Sequence, residues 1–430
     1  MRLQPKAGLR QLFTGRQRCL RVTAVILLAL MGACEPGGVV TEDSKETESP
    51  SHRSQDDASP TSLRPGADSD TRDAANVSAS PRKDAPSSST KRFTIVATGD
   101  ILTHSTVYEK ALENGGNHYD FTPMFRKVRP LLSAADIAIC HLETPLSPDN
   151  QSLSSFPTFN VPHQLANAIG NAGYDYCSTA SNHSYDRGAQ GVMATLDVLD
   201  KAGVRHNGTA RRSGAAGRPE LIEVNGVEVG FLSYTYGLNG SELPADESWL
   251  VDVIDTQAIS REARAARRAG ANFVVVSLHW GLEYQVAPSA DQRTLAGRLL
   301  RTNAIDLILG HHAHVVQPIG RVGQDYVVYG MGNFLADQSI ACCAEDTRHG
   351  VIVKIEVQGK SNDLQAERVT YTPTWVPHGN YVITPVASAL EDPSTPGDKR
   401  TALRQSWKQT TTAIRSLGAG KFGVRAEGSP

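Results

Sequence analysis

Neither sign of charge dominates this sequence: 43 Lys and Arg stand against 45 Asp and Glu in 430 residues, a formal net charge of −2. A nucleic-acid partner normally meets a strongly basic face, so nucleic acid is set aside. Long apolar runs are also scarce near the start. The stretch Val22–Met31 is about ten residues, half of the roughly twenty that cross a bilayer. No internal repeat at a solenoid period is visible, which excludes a stacked-repeat architecture. Residues 35–91 hold almost no large apolar side chain and are rich in Ser, Asp, Pro, Thr and Ala. Such a segment buries too little surface to offset its ordering entropy.

What is present begins with a basic segment (Arg2, Lys6, Arg10, Arg16, Arg18, Arg21) running into that short apolar stretch, the layout of a bacterial secretion signal. Met31-Gly-Ala-Cys34 resembles a lipobox, in which the cysteine takes a diacylglyceryl group. The expectation is a lipoprotein-type signal peptide over residues 1–33, lipidation at Cys34 and a flexible tether over 34–91. Acyl chains would hold the protein on the extracytoplasmic face of the cell membrane; the alternative is a soluble secreted protein cut near Ala33. In an exported protein the remaining cysteines could pair, although sequence leaves the pairing open. Cys140 and Cys177 lie in apolar runs and are expected as inert buried thiols, whereas Cys342 and Cys343 fall in a loop.

From Phe93 the texture changes. Phe93–Thr98 is a β-branched run ending in Gly99-Asp100, a buried strand with an acid at its tip. The same grammar recurs: Asp136–His141 leads to Glu143, Tyr174–Ala180 to Asn182-His183, Phe273–Leu278 to His279, and Leu307–Leu309 to Gly310-His-His-Ala-His314. Helix-like segments (163–172, 190–202, 255–269, 289–302) alternate with these strands, which predicts an α/β layered domain over 92–387. In such folds the carboxyl ends of the strands host the site, so distant residues converge there. Val224–Ser233 reads as a hairpin turning at Asn225-Gly226, and 350–357 with 367–373 as a further strand pair. Residues 388–430 read as a poorly ordered tail holding at most one amphipathic helix.

Imidazole nitrogens and carboxylate oxygens suit borderline divalent cations such as Zn, Mn or Fe. His312 and His314, two apart after a strand and a glycine, can present both rings toward one point. A single such histidine is more often structural. Asp100, Glu143, Asn182, His183, His279, His312 and His314 all occupy strand ends, and that shared placement favours a site holding one or two divalent metal ions.

Gly99-Asp100, His141-Leu-Glu143, Ala180-Ser-Asn-His-Ser-Tyr-Asp186, His279-Trp-Gly-Leu-Glu283, Gly310-His-His-Ala-His-Val315 and Tyr329-Gly-Met-Gly-Asn-Phe334 together resemble the ordered motif series of the CapA-type poly-gamma-glutamate capsule biosynthesis family. That family is similar to the calcineurin-like metallophosphoesterases, so the resemblance implies a four-layer α/β/β/α sandwich with metals at strand ends. It places Asp100 and His314 on one metal, Glu143 as the bridging carboxylate, and Asn182, His279 and His312 on the second. His183 becomes the general acid or the group that stabilises developing negative charge.

The sequence departs from these patterns in three places. The phosphoesterases open with Asp-x-His, whereas here the nearest histidine is His104, a ligand or a cap of the following helix. His141 stands where the CapA pattern usually has Asn, either touching the site or supporting it from behind. Glu143 replaces an Asp. Asp186 could orient His183 or start a helix in solvent, Glu283 and Tyr284 could reach substrate or cap their loop, and Trp280 reads as a cleft wall. Asn333 closes the series, and Gly332 should permit a tight turn.

Four functions are compatible with these residues. The first is a CapA-like role in making, exporting or anchoring an anionic poly-gamma-glutamate or related polymer, beside membrane-bound synthase components. The second is an extracytoplasmic metal-dependent hydrolase of phosphoesters or amides, and the third a polymer-binding scaffold without turnover. The fourth, peptide epimerisation, is disfavoured by the expected tether and anchor.

Overall fold

The computed structural model describes residues 90–338 and 341–430. The expected signal peptide, Cys34 and nearly all of the tether lie outside the described residues. Every described residue falls within one unit, Arg82–Pro430.

Two sheets carry the fold. In the first, the strand Lys91–Ile101 is central: Ile137–Leu142, Tyr176–Ser178 and Arg205–Asn207 follow in parallel on one side. On its other side the antiparallel strands His349–Lys360 and Asp363–Trp375 are added. In the second sheet, Val227–Thr235, Phe273–His279, Leu307–His311 and Asp325–Val328 run in parallel order, with Glu220–Val224 and Ile319–Val322 as antiparallel edges. Glu220–Val224 and Val227–Thr235 turn at Asn225-Gly226 as expected, both residues at positive φ (51° and 72°).

Side-chain alternation shows how the layers stack. Phe93, Ile95 and Ala97 share one core with Phe273, Val275, Leu307 and Leu309 of the other sheet. Their neighbours point outward: Val96, Ala138 and Cys140 pack under helices that include Gln164–Ala172, while Val274, Val276 and Ile308 pack under Thr256–Arg268 and Ala290–Leu300. Both sheets are therefore covered on both faces, and the architecture is the expected α/β/β/α sandwich. Continuous apolar runs such as Phe273-Val-Val-Val276 follow from that double burial. Burying one such side chain contributes roughly 1.5–3 kcal/mol, and a one-residue slip would exchange the two faces of a strand. The helices over the second sheet are capped from sequence: Asp255 accepts from the Ala258 amide, and Ser289 with Gln292 forms a capping box.

Two expectations are corrected. Cys140 and Cys177 are not free thiols; they face each other across adjacent parallel strands, with Cα atoms 4.5 Å apart, and form a disulfide. Strand pairing, which no local apolar pattern reveals, sets that proximity. Cys342 and Cys343 also form a disulfide. Residues 388–430 are ordered and packed: the helix Gly397–Arg415 buries Leu403, Ala413 and Ile414, and Arg425–Ala426 adds a parallel strand to Asp363–Trp375. Its apolar residues are too sparse to stand out in sequence, and only the exposed flank of the antiparallel strands gives them a partner. Among the described residues no helix is long and apolar enough to cross a membrane.

If the C-terminal helix is part of the core, Ile414→Ala should destabilise the protein by about 2–5 kcal/mol. Urea denaturation monitored by circular dichroism would read this as a lowered midpoint at constant slope. An unchanged midpoint would mean the helix is peripheral.

Candidate metal centre

The strand ends converge. Asp100 lies at the end of Lys91–Ile101, Glu143 just after Ile137–Leu142, and Asn182 and His183 after Tyr176–Ser178. His279 and His311 are the last residues of neighbouring strands in direct register, and His312 and His314 follow in the loop. All are buried. Two glycine-dependent crossings bring the backbone this close; a Cβ at Gly310 would stand 1.9 Å from the Tyr329 carbonyl oxygen, and one at Gly99 1.8 Å from that of Gly332.

Asp100 ties the two sheets. Its Oδ1 lies 3.0 Å from His311 Nδ1, and its Oδ2 accepts the His312 amide at 3.1 Å. Burial opposes ionisation of Asp100, but the hydrogen bonds from His311 and His314 outweigh it and hold the carboxyl far below its usual range. His314 is drawn up to about 9, because attraction to Glu143 and Asp100 overcomes burial. His312, desolvated and facing His314, falls to about 3. His312 and His314 adopt positive φ, 87° and 56°, a strained conformation costing about 1–3 kcal/mol per residue that persists only where the surroundings enforce it.

Behind these residues runs a chain of rings. Burial together with neighbouring imidazoles pushes His141 and His279 well below the usual histidine value. With both rings neutral, each carries a single N–H: His141 Nε2 lies 3.0 Å from His279 Nδ1, and His279 Nε2 lies 2.9 Å from Asn182 Oδ1. The Ser178 hydroxyl completes the chain at His141 Nδ1, 2.8 Å away. His141 also stacks on His311 with ring centroids 4.0 Å apart.

Four groups of three side chains bring their ligand atoms within 4.8 Å of one another: Asp100, His141, His311; His141, Glu143, His279; Asp100, Glu143, His314; and Glu283, His312, His314. The donor set is His and carboxylate, the chemistry that divalent transition metals take. A further observation bears on fit. Both carboxylate oxygens of Glu143, His311 Nε2 and His312 Nδ1 are buried without any hydrogen-bond partner, and unpaired buried polar atoms are costly. Burial, followed by repulsion from Asp100, Glu283 and Asp186, raises Glu143 well above the ordinary carboxylate pKa despite attraction from His314. Cations held by these overlapping groups would supply partners that the protein itself does not.

The structure thus brings together Asp100, His141, Glu143, Asn182, His279, His312, His314 and Glu283. His183 stands beside them: its Nδ1 donates to Asp186 Oδ2 at 2.8 Å, and Asn239, whose Oδ1 accepts from the Asn182 amide at 3.0 Å, lies next to the ring. Asp186 is buried against the ring and also accepts the Phe159 amide, so it orients His183 and is not a solvent-facing helix start. Asn333 accepts from His314 Nδ1 at 3.1 Å and donates to the Thr347 carbonyl, supporting that ring from behind. His104 is in none of the four groups. It precedes the helix Ser105–Gly115 without capping it, its Nδ1 3.0 Å from the Leu102 carbonyl. Trp280 is buried, lines a cavity and donates to the Tyr329 carbonyl.

Two contributors escape the sequence reading. His311 sits in the same run as His312 and His314, and the available signal was its place on the strand's final pleat, in register with His279. Tyr236 lies against His312, ring centroids 4.5 Å apart and tilted by 41°, and closes one side; nothing local marks it.

The segment 94–338 matches the family model described as "Bacterial capsule synthesis protein PGA_cap". The chain is 30% identical over 257 residues to the capsule biosynthesis protein CapA of Bacillus anthracis, covering 58% of this chain and 61% of that protein. It is 28% identical over 252 residues to the PGA biosynthesis protein CapA of Bacillus subtilis, covering 56% and 62%. A probable polyglutamine synthesis accessory protein of Mycobacterium tuberculosis matches at 26% over 220 residues, covering 48% of this chain and 57% of that one. The chain therefore spans about three-fifths of the length of these relatives. Among solved structures, the calcineurin-like phosphoesterase YfkN from Bacillus subtilis aligns with a TM-score of 0.40 at 13% identity, over 76% of this chain and 100% of that one. A likeness this slight carries no argument.

His314 supplies a pH test for the metal-free protein. Its pKa is about 9 in the fold against an ordinary 6.5, so its stabilising contribution is complete below pH 6.5 and is lost as pH rises through 9. After chelation the melting temperature should fall across that window, and His314→Gln should flatten the fall. Parallel curves for the two proteins would refute the assignment.

Proposed function

The chain belongs to the bacterial capsule synthesis protein PGA_cap family, and from that premise we propose that it serves the biosynthesis, export or anchoring of poly-gamma-glutamate or a related anionic envelope polymer, using a divalent-metal cleft. The observation that carries the metal part is the buried Glu143 carboxylate, both oxygens unpaired among imidazoles. The polymer part rests on relatives whose names specify capsule and polyglutamate synthesis. The expected secretion signal and Cys34 lipobox support an extracytoplasmic, membrane-anchored location, and accessory names among relatives support synthase components as partners.

In this reading Asp100, Glu143, Asn182, His279, His312 and His314 hold the cation or cations, with His311 and Glu283 as further donors. When bound, such an ion acidifies water and polarises a carbonyl or phosphoryl oxygen. The protein's own contribution is orientation. His141 fixes the plane of His279 through Nδ1 and leaves Nε2 for the site. Asn333 does the same for His314.

A second reading, a hydrolase of amide or phosphoester bonds, is favoured by the His183–Asp186 pair. His183 Nδ1 donates to Asp186 Oδ2 at 2.8 Å, which leaves Nε2 as the nitrogen that would first accept a proton from the attacking group and then return it to the leaving group. A non-catalytic scaffold would not need that oriented pair.

Elemental analysis of the purified chain should find one or two divalent metal ions per molecule, and Asp100→Asn should lose them. His141→Ala should weaken metal affinity about 10–100-fold, the usual cost of removing a group that orients a ligand. A metal-free wild type after loading would remove the metal from the proposal.

Incubating the loaded protein with gamma-glutamyl oligomers and a phosphoester panel tests turnover. If the hydrolase reading holds, His183→Ala should slow it by roughly 10²–10⁴-fold at unchanged metal content. No turnover in either protein would leave the scaffold reading, and equal non-zero rates would remove His183 from the mechanism.

A further inference from the structure

On the second-sheet side of the metal centre lies a cavity of about 450 Å³. It is formed by the loop that follows Phe273–His279 together with the helices Thr256–Arg268 and Ala290–Leu300. Two of its wall residues are joined to the candidate ligands. Trp280 directly follows His279, and Tyr236 donates its amide to the His279 carbonyl at 2.9 Å while its ring lies against those of His279 and His312.

The walls are apolar and open to solvent. Tyr236, Ile254, Trp280, Leu282 and Leu295 supply them, with Leu282 60% and Tyr236 46% exposed. Of the eight large apolar side chains that stand exposed among the described residues, Tyr236, Val253, Leu282 and Val286 lie on segments that leave the metal ends of Val227–Thr235 and Phe273–His279 or pair there. Single exposed apolar residues are ordinary, whereas a cluster beside a cleft marks a surface that a ligand covers. The polar groups of the cavity are already used or balanced. Ser289 and Gln292 bond each other in the capping box, and Gln292 also meets Gln317. Asp291 and Arg298 are exposed and opposite in charge, so the cavity selects neither sign. What it offers a ligand is apolar burial.

We propose that this cavity is a subsite for an apolar group, a ring or a branched hydrocarbon, covalently joined to the amide, ester or phosphoryl group that reaches the metal centre. The inference rests on the metal part of the proposed function and is independent of which polymer is served. A concave space of this size suits a small-molecule group. Its continuity with the ligands through Tyr236 and Trp280 makes that group part of whatever occupies the metals. A carboxylate placed there would exchange its hydration for apolar walls, which is costly, so an acidic side chain of the same ligand belongs elsewhere in the cleft.

Hydroxamates grip divalent metals through the same two oxygens whatever their tail, so the tail can be varied alone. The test is calorimetric titration of the metal-loaded full chain with acetohydroxamate, phenylpropanohydroxamate and the monohydroxamate of succinate. The phenyl tail should tighten binding about tenfold or more over the methyl, the gain expected from burying a ring, and the carboxylate tail should bring no gain. Leu282→Asp should abolish the phenyl gain and Leu282→Met should keep it, with metal content, melting temperature and acetohydroxamate affinity unchanged in both. Equal affinity for all three tails, or a phenyl gain that survives Leu282→Asp, overturns the subsite and leaves the metal centre standing. A chain that takes up no metal, or a loaded chain that binds no hydroxamate, overturns the subsite together with the metal part of the proposed function.

Discussion

The Asp100 carboxylate, buried between two sheets, is the point around which the rest is arranged. It belongs to the central strand of the first sheet, yet its partners, the His311 ring and the His312 amide, belong to the second. A buried carboxylate without partners is costly to ionise. This one is ionised because the second sheet supplies the partners, so the docking of the sheets and the electrostatics of the cleft depend on each other. Gly99 and Gly310 make the approach possible by leaving space where any side chain would strike backbone.

From that tie the site's charge pattern follows. Asp100 and His314 exist as an ion pair, whereas Glu143, deeper and repelled by its carboxylate neighbours, resists ionisation. Unpaired oxygens on Glu143 and unpaired nitrogens on His311 and His312 then remain, each residue belonging to a group of His and carboxylate ligand atoms within 4.8 Å of one another. Polar atoms arranged this way are poorly satisfied by protein alone and well satisfied by a cation. The positive φ at His312 and His314 belongs to the same economy, since local strain is held where packing and hydrogen bonds over-determine the chain.

The rings behind the ligands are held in place by His141, which fills the space between His279 and His311 by stacking on one and hydrogen-bonding the other. The C-terminal helix is a second packing element. It closes the flank of the long antiparallel strands and at the same time brings Lys408 and Gln409 to the edge of the ligand loop.

By itself the sequence determined the layered α/β class and the strand-end positions of Asp100, Glu143, Asn182, His279 and the 311–314 run, because apolar runs and the polar residues that end them are local signals. It did not determine that Cys140 pairs with Cys177, that Asp186 turns inward to His183, that His311 joins the cleft while His104 stays apart, or that residues 397–426 pack as part of the domain. Those depend on strand register, on which face of a pleat meets the other sheet, and on an exposed flank awaiting cover. Such relations link residues tens to hundreds of positions apart, and only the packed chain fixes them.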